Sequence, residues 1–513
     1  MEAPPTNTGA ASGSARSEPP AQVIPRRTLK TLGFVAALLV LVHLGMAFWS
    51  RHAWTEVESI VCLHARMLAN GQGIYYDFNQ YPFTVSVYGP VFYLAAAALH
   101  TLGLPILIAG RLISFLAFLG IVYLSWRLLD LYTSNHYATW TGTLLVASTS
   151  NIVKHGVTAQ VDELGVFFSL AAFFQYSKYR ADSKTASLAW TAALLVLAVF
   201  TKQNFVAAGA AIVLLLAATN LRQALRFALI AGICGAALAL GLNLLTEGRY
   251  FDNAFLANLN PFSQEKFFDH AKYLILTEAG LIIIALAGLR RAFRGQIHPF
   301  YVYLLPATLV FLLTAPKLGS DIHYQLEMVV ALSLCAAWTL HELNFFPLLF
   351  RHDPGWVTLL EIPLLLQLVM NPLVSGQALL ERAAFELARR AEAVQLEPYF
   401  SANPGRVLCV EMDALLQAGK PIEVEPLIYN WMVGAGLTDP EPVRRDLADG
   451  QFALIVLYQD LFSNAVPSHP ELPSLPEAHL DEIRKHYRLV AHVPGPFWAG
   501  AFVYQPIRPG ASE

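Results

Sequence analysis

Three carboxylates, a few cations and several tyrosines in this chain are of the types needed for acid–base and phosphate chemistry. Glu56 and Glu58 stand in Trp54-Thr-Glu-Val-Glu58, and Asp162 in Gln160-Val-Asp-Glu163. A carboxylate can take the proton of an attacking hydroxyl. Cations can stabilise the charge that builds on a departing phosphate. Lys202 in Lys202-Gln-Asn204, Lys317 in Lys317-Leu-Gly-Ser-Asp321, and Arg249 are the candidates for that second role, with His323, Tyr324 and Tyr88 as further substrate contacts. The hard oxygens of Glu56, Glu58 and Asp162 would also suit a divalent metal.

Each residue has a plainer reading. Exposed glutamates are usually solvated. Asp162 can cap the helix that follows it, with Glu163 favouring the same dipole. Lys202 can snorkel or complement a helix end. His323 and Glu327 stand four apart, the spacing of a helical pair. Arg111 reads as structural or headgroup-binding. The aromatics Tyr75, Tyr76, Tyr81, Phe83, Tyr88 and Tyr93 read as an interfacial belt. Lys317 lies in a short Pro/Gly loop with no packing reason to be there.

The elements that position these residues follow from composition. Of 513 residues, 55% are hydrophobic and 14% charged, well below the roughly one quarter of an ordinary soluble domain. Much of the chain therefore needs lipid as its solvent. The net charge of −3 supplies no basic excess for phosphate backbones, which argues against nucleic acid as a partner. The four cysteines form no metal-ligand cluster, and a Cys62–Cys409 disulfide has no support beyond both falling on one side of the membrane. Residues 1–25 read as a disordered tail, within a cytoplasmic segment 1–30.

A spanning helix needs about 20 apolar residues. Candidate spans are 31–50, 106–129, 137–153, 163–179, 187–201, 204–220, 226–246, 272–289, 299–315, 323–342 and 355–371. The first is a retained signal anchor. Basic clusters at Arg26-Arg27-Lys30, Lys178–Lys184, Arg222 with Arg226, and Arg290–Arg294 all fall in the cytoplasm if 88–104 lies along the outer surface. The expectation is an α-helical polytopic membrane protein of about eleven transmembrane helices, amino terminus inside. The membrane domain covers 31–371, with a large outer loop at 51–105. Residues 372–513 form an extracytoplasmic α/β domain, with an amphipathic helix over 378–397, strands at Val407–Glu411, Phe452–Tyr458 and Phe497–Tyr504, and a helix at His479–Tyr487. This topology puts the candidate acids, cations and aromatics on one face of the bilayer, where intramembrane polar groups default to function.

In order and sidedness, these motifs resemble the GT-C superfamily of membrane glycosyltransferases, in the branch of protein O-mannosyltransferases and lipid A aminoarabinose transferases. The resemblance rests on Glu58, Gly73, Tyr76-Asp77, Tyr88-Gly89-Pro90, Arg111, Asp162, Lys202-Gln-Asn204 and Lys317 to Tyr324, and on the tail with Ala418-Gly-Lys-Pro421 and Phe452–Tyr458. It covers nearly everything after residue 30. It implies a sugar donor linked to polyprenyl phosphate, a glycan, lipid or protein hydroxyl as acceptor, and a bacterial inner membrane. It implies Glu58 or Glu56 as base or metal ligand, Asp162 as helper, and Lys202 and Lys317 as phosphate ligands. The chain departs from the pattern at the first acidic position, which is Val57, with Glu56 one residue earlier. A transporter or flippase for lipid-linked glycans is the competing class, and the absence of an internal repeat counts against it. A non-catalytic binder of lipid-linked glycan is the third reading.

Overall fold

A computed structural model describes residues 26–294, 297–345, 356–463, 475–496 and 500–507. The expected tail 1–25 lies outside them. The chain opens with α1 (Arg26–Trp49), then α2 (Glu56–Ala69) and α3 (Pro90–Thr101), both within the 51–105 loop. The bundle continues with α4 (Ile106–Thr133), α5 (His136–Ser148), α6 (Ser150–His155), α7 (Asp162–Asp182), α8 (Thr185–Thr201), α9 (Ala207–Ala217) and α10 (Leu221–Leu245). After α11 (Arg249–Ala254) come α12 (Gln264–Ala292), α13 (Pro299–Thr314), α14 (Leu326–Glu342) and the 47-residue α15 (Trp356–Ala402).

Five described helices are long and apolar enough to cross a bilayer, as an integral membrane protein requires. Others, such as the 11-residue α9, rise only about 17 Å. The count of eleven spans remains an expectation from sequence.

The helix ends sort into two sets. The amino ends of α2, α3, α7 and α11, the carboxyl end of α8 and the 315–325 loop carry or adjoin the candidate site residues. The amino ends of α1 and α10 and the carboxyl ends of α7 and α12 carry the four basic clusters. One core, built from α4, α5, α7, α9, α12, α13, α14 and α15, holds the bundle together. A second joins α2, α3 and the end of α8 to the carboxyl-terminal domain, and it contains Cys62 and Cys409 as buried free thiols.

The structure departs from the sequence reading at several elements. The span 355–371 and the helix 378–397 are one rod. Pro363, Pro372 and Pro398 lie inside it without ending it. At about 70 Å α15 outruns the hydrocarbon core and carries its charged half into the carboxyl-terminal domain. The span 137–153 breaks at Thr149, which leaves helical geometry (φ −56°, ψ 119°) between α5 and α6.

His323 and Glu327 do not pair. Residues 322–325 form a 3-10 turn, and α14 begins only at Leu326, so helical spacing does not apply across them. Glu327 instead accepts from the Tyr303 hydroxyl at 2.9 Å. Glu278 is paired within its span, accepting from Gln367 at 2.7 Å.

The carboxyl-terminal domain has a four-stranded sheet in the order β1 (Arg406–Cys409), β2 (Phe452–Leu457), β4 (Ala501–Pro506), β3 (Tyr487–Val493). β1 and β2 are parallel and the other pairs antiparallel. Around the sheet lie α16 (Met412–Gln417), α17 (Pro426–Gly434), α18 (Glu441–Ala448) and α19 (Glu477–His486). Strand β3 was not anticipated; the expected helix 479–487 ends where this partly exposed strand begins. The last strand begins at Ala501, and 497–499 lie outside the described residues. Residues 418–421 are a turn with Gly419 at φ +65°. The strand-like pairing comes later, where Val424 bridges Phe83 of the 51–105 loop.

Candidate active site

Glu58 and Glu56 sit on the first turn of α2 in opposite circumstances. Thr55 caps the helix by accepting from the Glu58 amide, and the Glu58 carboxylate reaches back to the Trp54 amide at 2.7 Å, a variant of the capping box. Glu58 Oε1 also accepts from Arg111 Nε at 2.9 Å and from the Ala159 amide at 2.7 Å, and Oε2 from Arg111 Nη2 at 3.1 Å. Arg111 spends its remaining donors on the carbonyls of Ala47, Ser50 and His52. Both side chains are 0% exposed. The pair stitches α1, α2, α4 and the approach to α7 together, and Glu58 is left with no open oxygen for a substrate. Arg111 has the structural role read from sequence. A metal set of Glu56, Glu58 and Asp162 does not fit either, because Glu58 and Asp162 are bound to cations. Among the described residues no three of His, Cys, Asp or Glu converge as metal ligands.

Glu56 faces the other way. Its Oε1 has no hydrogen-bond partner among the described residues. Burial, with added repulsion from Glu411 and Glu425, pushes its carboxyl up to about 8, and Arg389 offsets part of this. Both repelling acids come from the carboxyl-terminal domain. Glu411 caps α16 and pairs with Arg389 of α15 and the Tyr458 hydroxyl. Glu425 is docked by the Phe83–Val424 bridge: the Phe83 amide donates to Glu423 O at 2.9 Å and the Glu425 amide to Phe83 O at 2.8 Å. Its carboxyl accepts from Thr84 Oγ1 at 2.5 Å, and burial holds it at about 7. A further contact fixes the domain, with Asp413 accepting from His52 Nδ1 at 2.8 Å and from the Ala53 amide at 2.9 Å.

Asp162 opens α7 and Lys202 follows α8 in extended conformation. Lys202 Nζ donates to Asp162 Oδ1 at 2.8 Å, both side chains being buried. Burial works against the ammonium, but Asp162 and Tyr324 outweigh it and hold the lysine above its ordinary value. Nζ also lies 4.0 Å from the Tyr324 ring centre and 5.2 Å from that of Tyr88. Gly89 lets Tyr88 come this close, because a Cβ there would stand 2.0 Å from the Phe200 carbonyl oxygen at the end of α8. The Tyr88 phenol is pushed well up, first by burial and then by Tyr324, Asp162, Tyr93 and Glu425. Tyr88 thus stands between the Asp162–Lys202 pair and the acids around Glu56.

His323 completes the group, its Nε2 3.7 Å from Asp162 Oδ2 and its Nδ1 3.8 Å from Asp321 Oδ2. The His155 ring packs edge-on against it at 5.4 Å.

Lys317 and Arg249 stand differently. Lys317 is half-buried in the turn that bridges Phe262 and makes no ion pair among the described residues. Arg249 is turned to Glu247 at 2.6 Å on an exposed turn. The structure thus joins Asp162, Lys202, Tyr88, His323 and Tyr324 with His155 and Asp321, and places Glu56 in a second group with Glu411, Glu425 and Arg389. Of these, Glu411, Glu425 and Arg389 carry no sequence signal, since ordinary acids and bases gain meaning here only from neighbours remote in the chain; Asp321 lies in the Lys317–Tyr324 stretch and His155 in the expected outer loop before Asp162.

No family model matches this chain, and no curated protein matches it by sequence. Solved structures do match. ArnT from Cupriavidus metallidurans in the apo state superimposes with a TM-score of 0.64 at 14% identity, over 93% of this chain and 97% of that one. The same protein bound to undecaprenyl phosphate gives 0.63 at 13% identity, over 94% and 99%. The apo oligosaccharyltransferase of Archaeoglobus fulgidus gives 0.55 at 12% identity, over 93% and 81%. The chain therefore has the fold of the GT-C membrane glycosyltransferases, carboxyl-terminal domain included.

Proposed function

We propose that this protein is an inverting glycosyltransferase that moves a sugar from a polyprenyl-phosphate donor to a hydroxyl acceptor at the extracytoplasmic face of the membrane. The observation that carries the reading is the buried Lys202–Asp162 pair, together with a carboxyl, Glu56, one of whose oxygens has no hydrogen-bond partner among the described residues. ArnT, with the same fold, binds undecaprenyl phosphate.

Glu56 is the base. The acceptor oxygen forms its bond to the anomeric carbon as its proton passes to the Glu56 carboxylate. The bond from that carbon to the phosphate oxygen breaks, and the electron pair leaves on the lipid phosphate. A group with a pKa near the working pH is well matched to such a transfer. Lys202 meets the charge that grows on the phosphate, in a buried setting where such contacts are strong. Asp162 holds Lys202 charged and in place, while Tyr88 and Tyr324 border the cation with neutral rings. Lys317 is a second phosphate ligand, approaching from the loop that carries His323.

The test is transfer from a radiolabelled polyprenyl-phosphate sugar by the purified protein, with lipid analysis of a strain lacking it. Release of polyprenyl phosphate together with a glycosylated acceptor supports the reading. Donor binding without turnover by the wild-type protein, or no carrier-linked sugar accumulating in the strain, would reject it.

A further inference from the structure

At the end of the bundle opposite Lys202, helices α8 and α10 enclose a cleft of about 440 Å³. Its mouth is polar, with Arg222 and Arg226 one helical turn apart, and its floor is apolar, with Leu188, Ala192, Phe227 and Ile230. α8 has 17 residues between Thr185 at the cleft and Thr201 beside Lys202. That is about 25 Å of helix, close to the thickness of a hydrocarbon core. The cleft therefore lies at the far membrane interface from the candidate active site.

We propose that this cleft is a binding site for an anionic phosphoglycerolipid of that leaflet, with its headgroup on Arg222 and Arg226 and an acyl chain along the α8–α10 groove. Three observations select this occupant. The arginines carry uncompensated charge: neither pairs with a carboxylate among the described residues, and the adjoining end of α7 adds Lys178, Arg180 and Lys184 against Asp182. The other polar groups at the mouth are already engaged, Asn220 capping α10 and Gln223 donating to the Tyr179 hydroxyl. The groove also opens to lipid. α10 buries only Ala224 and Phe227, and no residue of its most apolar stretch is fully buried. A basic mouth over an apolar groove between helices suits an acidic headgroup with its chains.

The test is native mass spectrometry of the full-length protein from nanodiscs of phosphatidylcholine containing phosphatidylglycerol. The wild type should retain phosphatidylglycerol, and retention should fall as salt is raised. Each arginine is worth roughly fivefold near an anionic surface, so the R222Q/R226Q pair should lose about 25-fold in apparent affinity. The R222K/R226K pair, which keeps the charge, should retain the lipid. Equal retention in the glutamine pair would overturn the proposal. So would phosphatidylcholine held as well as phosphatidylglycerol, or displacement of the lipid by a polyprenyl phosphate. Should the glutamine pair fail to fold, salt-insensitive retention by the wild type would overturn it equally.

Discussion

Arg111 Nε donates to Glu58 Oε1 at 2.9 Å with neither side chain reaching solvent. This contact separates the two glutamates of α2, holding Glu58 in a buried ion pair while Glu56 Oε1 has no hydrogen-bond partner among the described residues. Removing one member of a buried pair strands the other charge, which costs about 3–5 kcal/mol. Glu58→Gln and Arg111→Gln should therefore lower the thermal unfolding midpoint in detergent substantially. A Glu58→Gln protein as stable as wild type yet inactive would return the base role to Glu58.

Glu56→Gln should do the reverse, keeping the fold while transfer falls by about 10²–10⁴. Single-turnover assays with labelled donor measure this. Near-wild-type turnover would exclude Glu56 as base.

The raised carboxyl of Glu56 sets two pH dependences. Activity should climb with pH and level off above about 8, where the carboxylate form dominates. Stability should run the other way. The folded state holds this proton more tightly than the unfolded chain does, so the stabilisation is full below the ordinary glutamate value of 4.5 and is lost as pH rises through about 8. Glu56→Gln should flatten that loss in unfolding measured across the same range.

Glu425 contributes to the Glu56 shift by repulsion. Glu425→Gln should move the rising limb of the activity profile to lower pH, without removing activity. A profile that does not move would show that Glu425 leaves the base untouched.

Lys202→Met alone leaves Asp162 buried without its cation, so lost activity would be mixed with lost stability. The double replacement K202M/D162N removes both charges and should recover much of the stability, because an apolar or neutral pair often matches a buried ion pair. Transfer should stay abolished in the double variant. Recovery of turnover with stability would mean that the pair serves folding only.

Much of this architecture was legible in the sequence because lipid imposes a simple rule on it. Apolar runs such as Ile106–Thr133 must be helices in a bilayer. Asp162, Lys202, Tyr88, His323 and Tyr324 were grouped in advance because each lies at a helix end on the same side. The Thr55-x-x-Glu58 capping signature was also present in the sequence, and it marks the start of α2 within what had been read as open loop.

What the sequence by itself determined was that much of the chain is apolar helix, and that many of its polar residues stand at helix ends. The tertiary structure alone decided which partners each acid meets there. Glu56 and Glu58 are neighbours of one residue type, and only Arg111 and the Ala159 amide occupy one while Glu411 and Glu425 raise the other. Those partners arrive from far along the chain, Glu425 being 341 residues from the Thr84 hydroxyl it accepts from. Local spacing carries no information over that distance, because the electrostatics of a buried carboxyl are set by what packs against it.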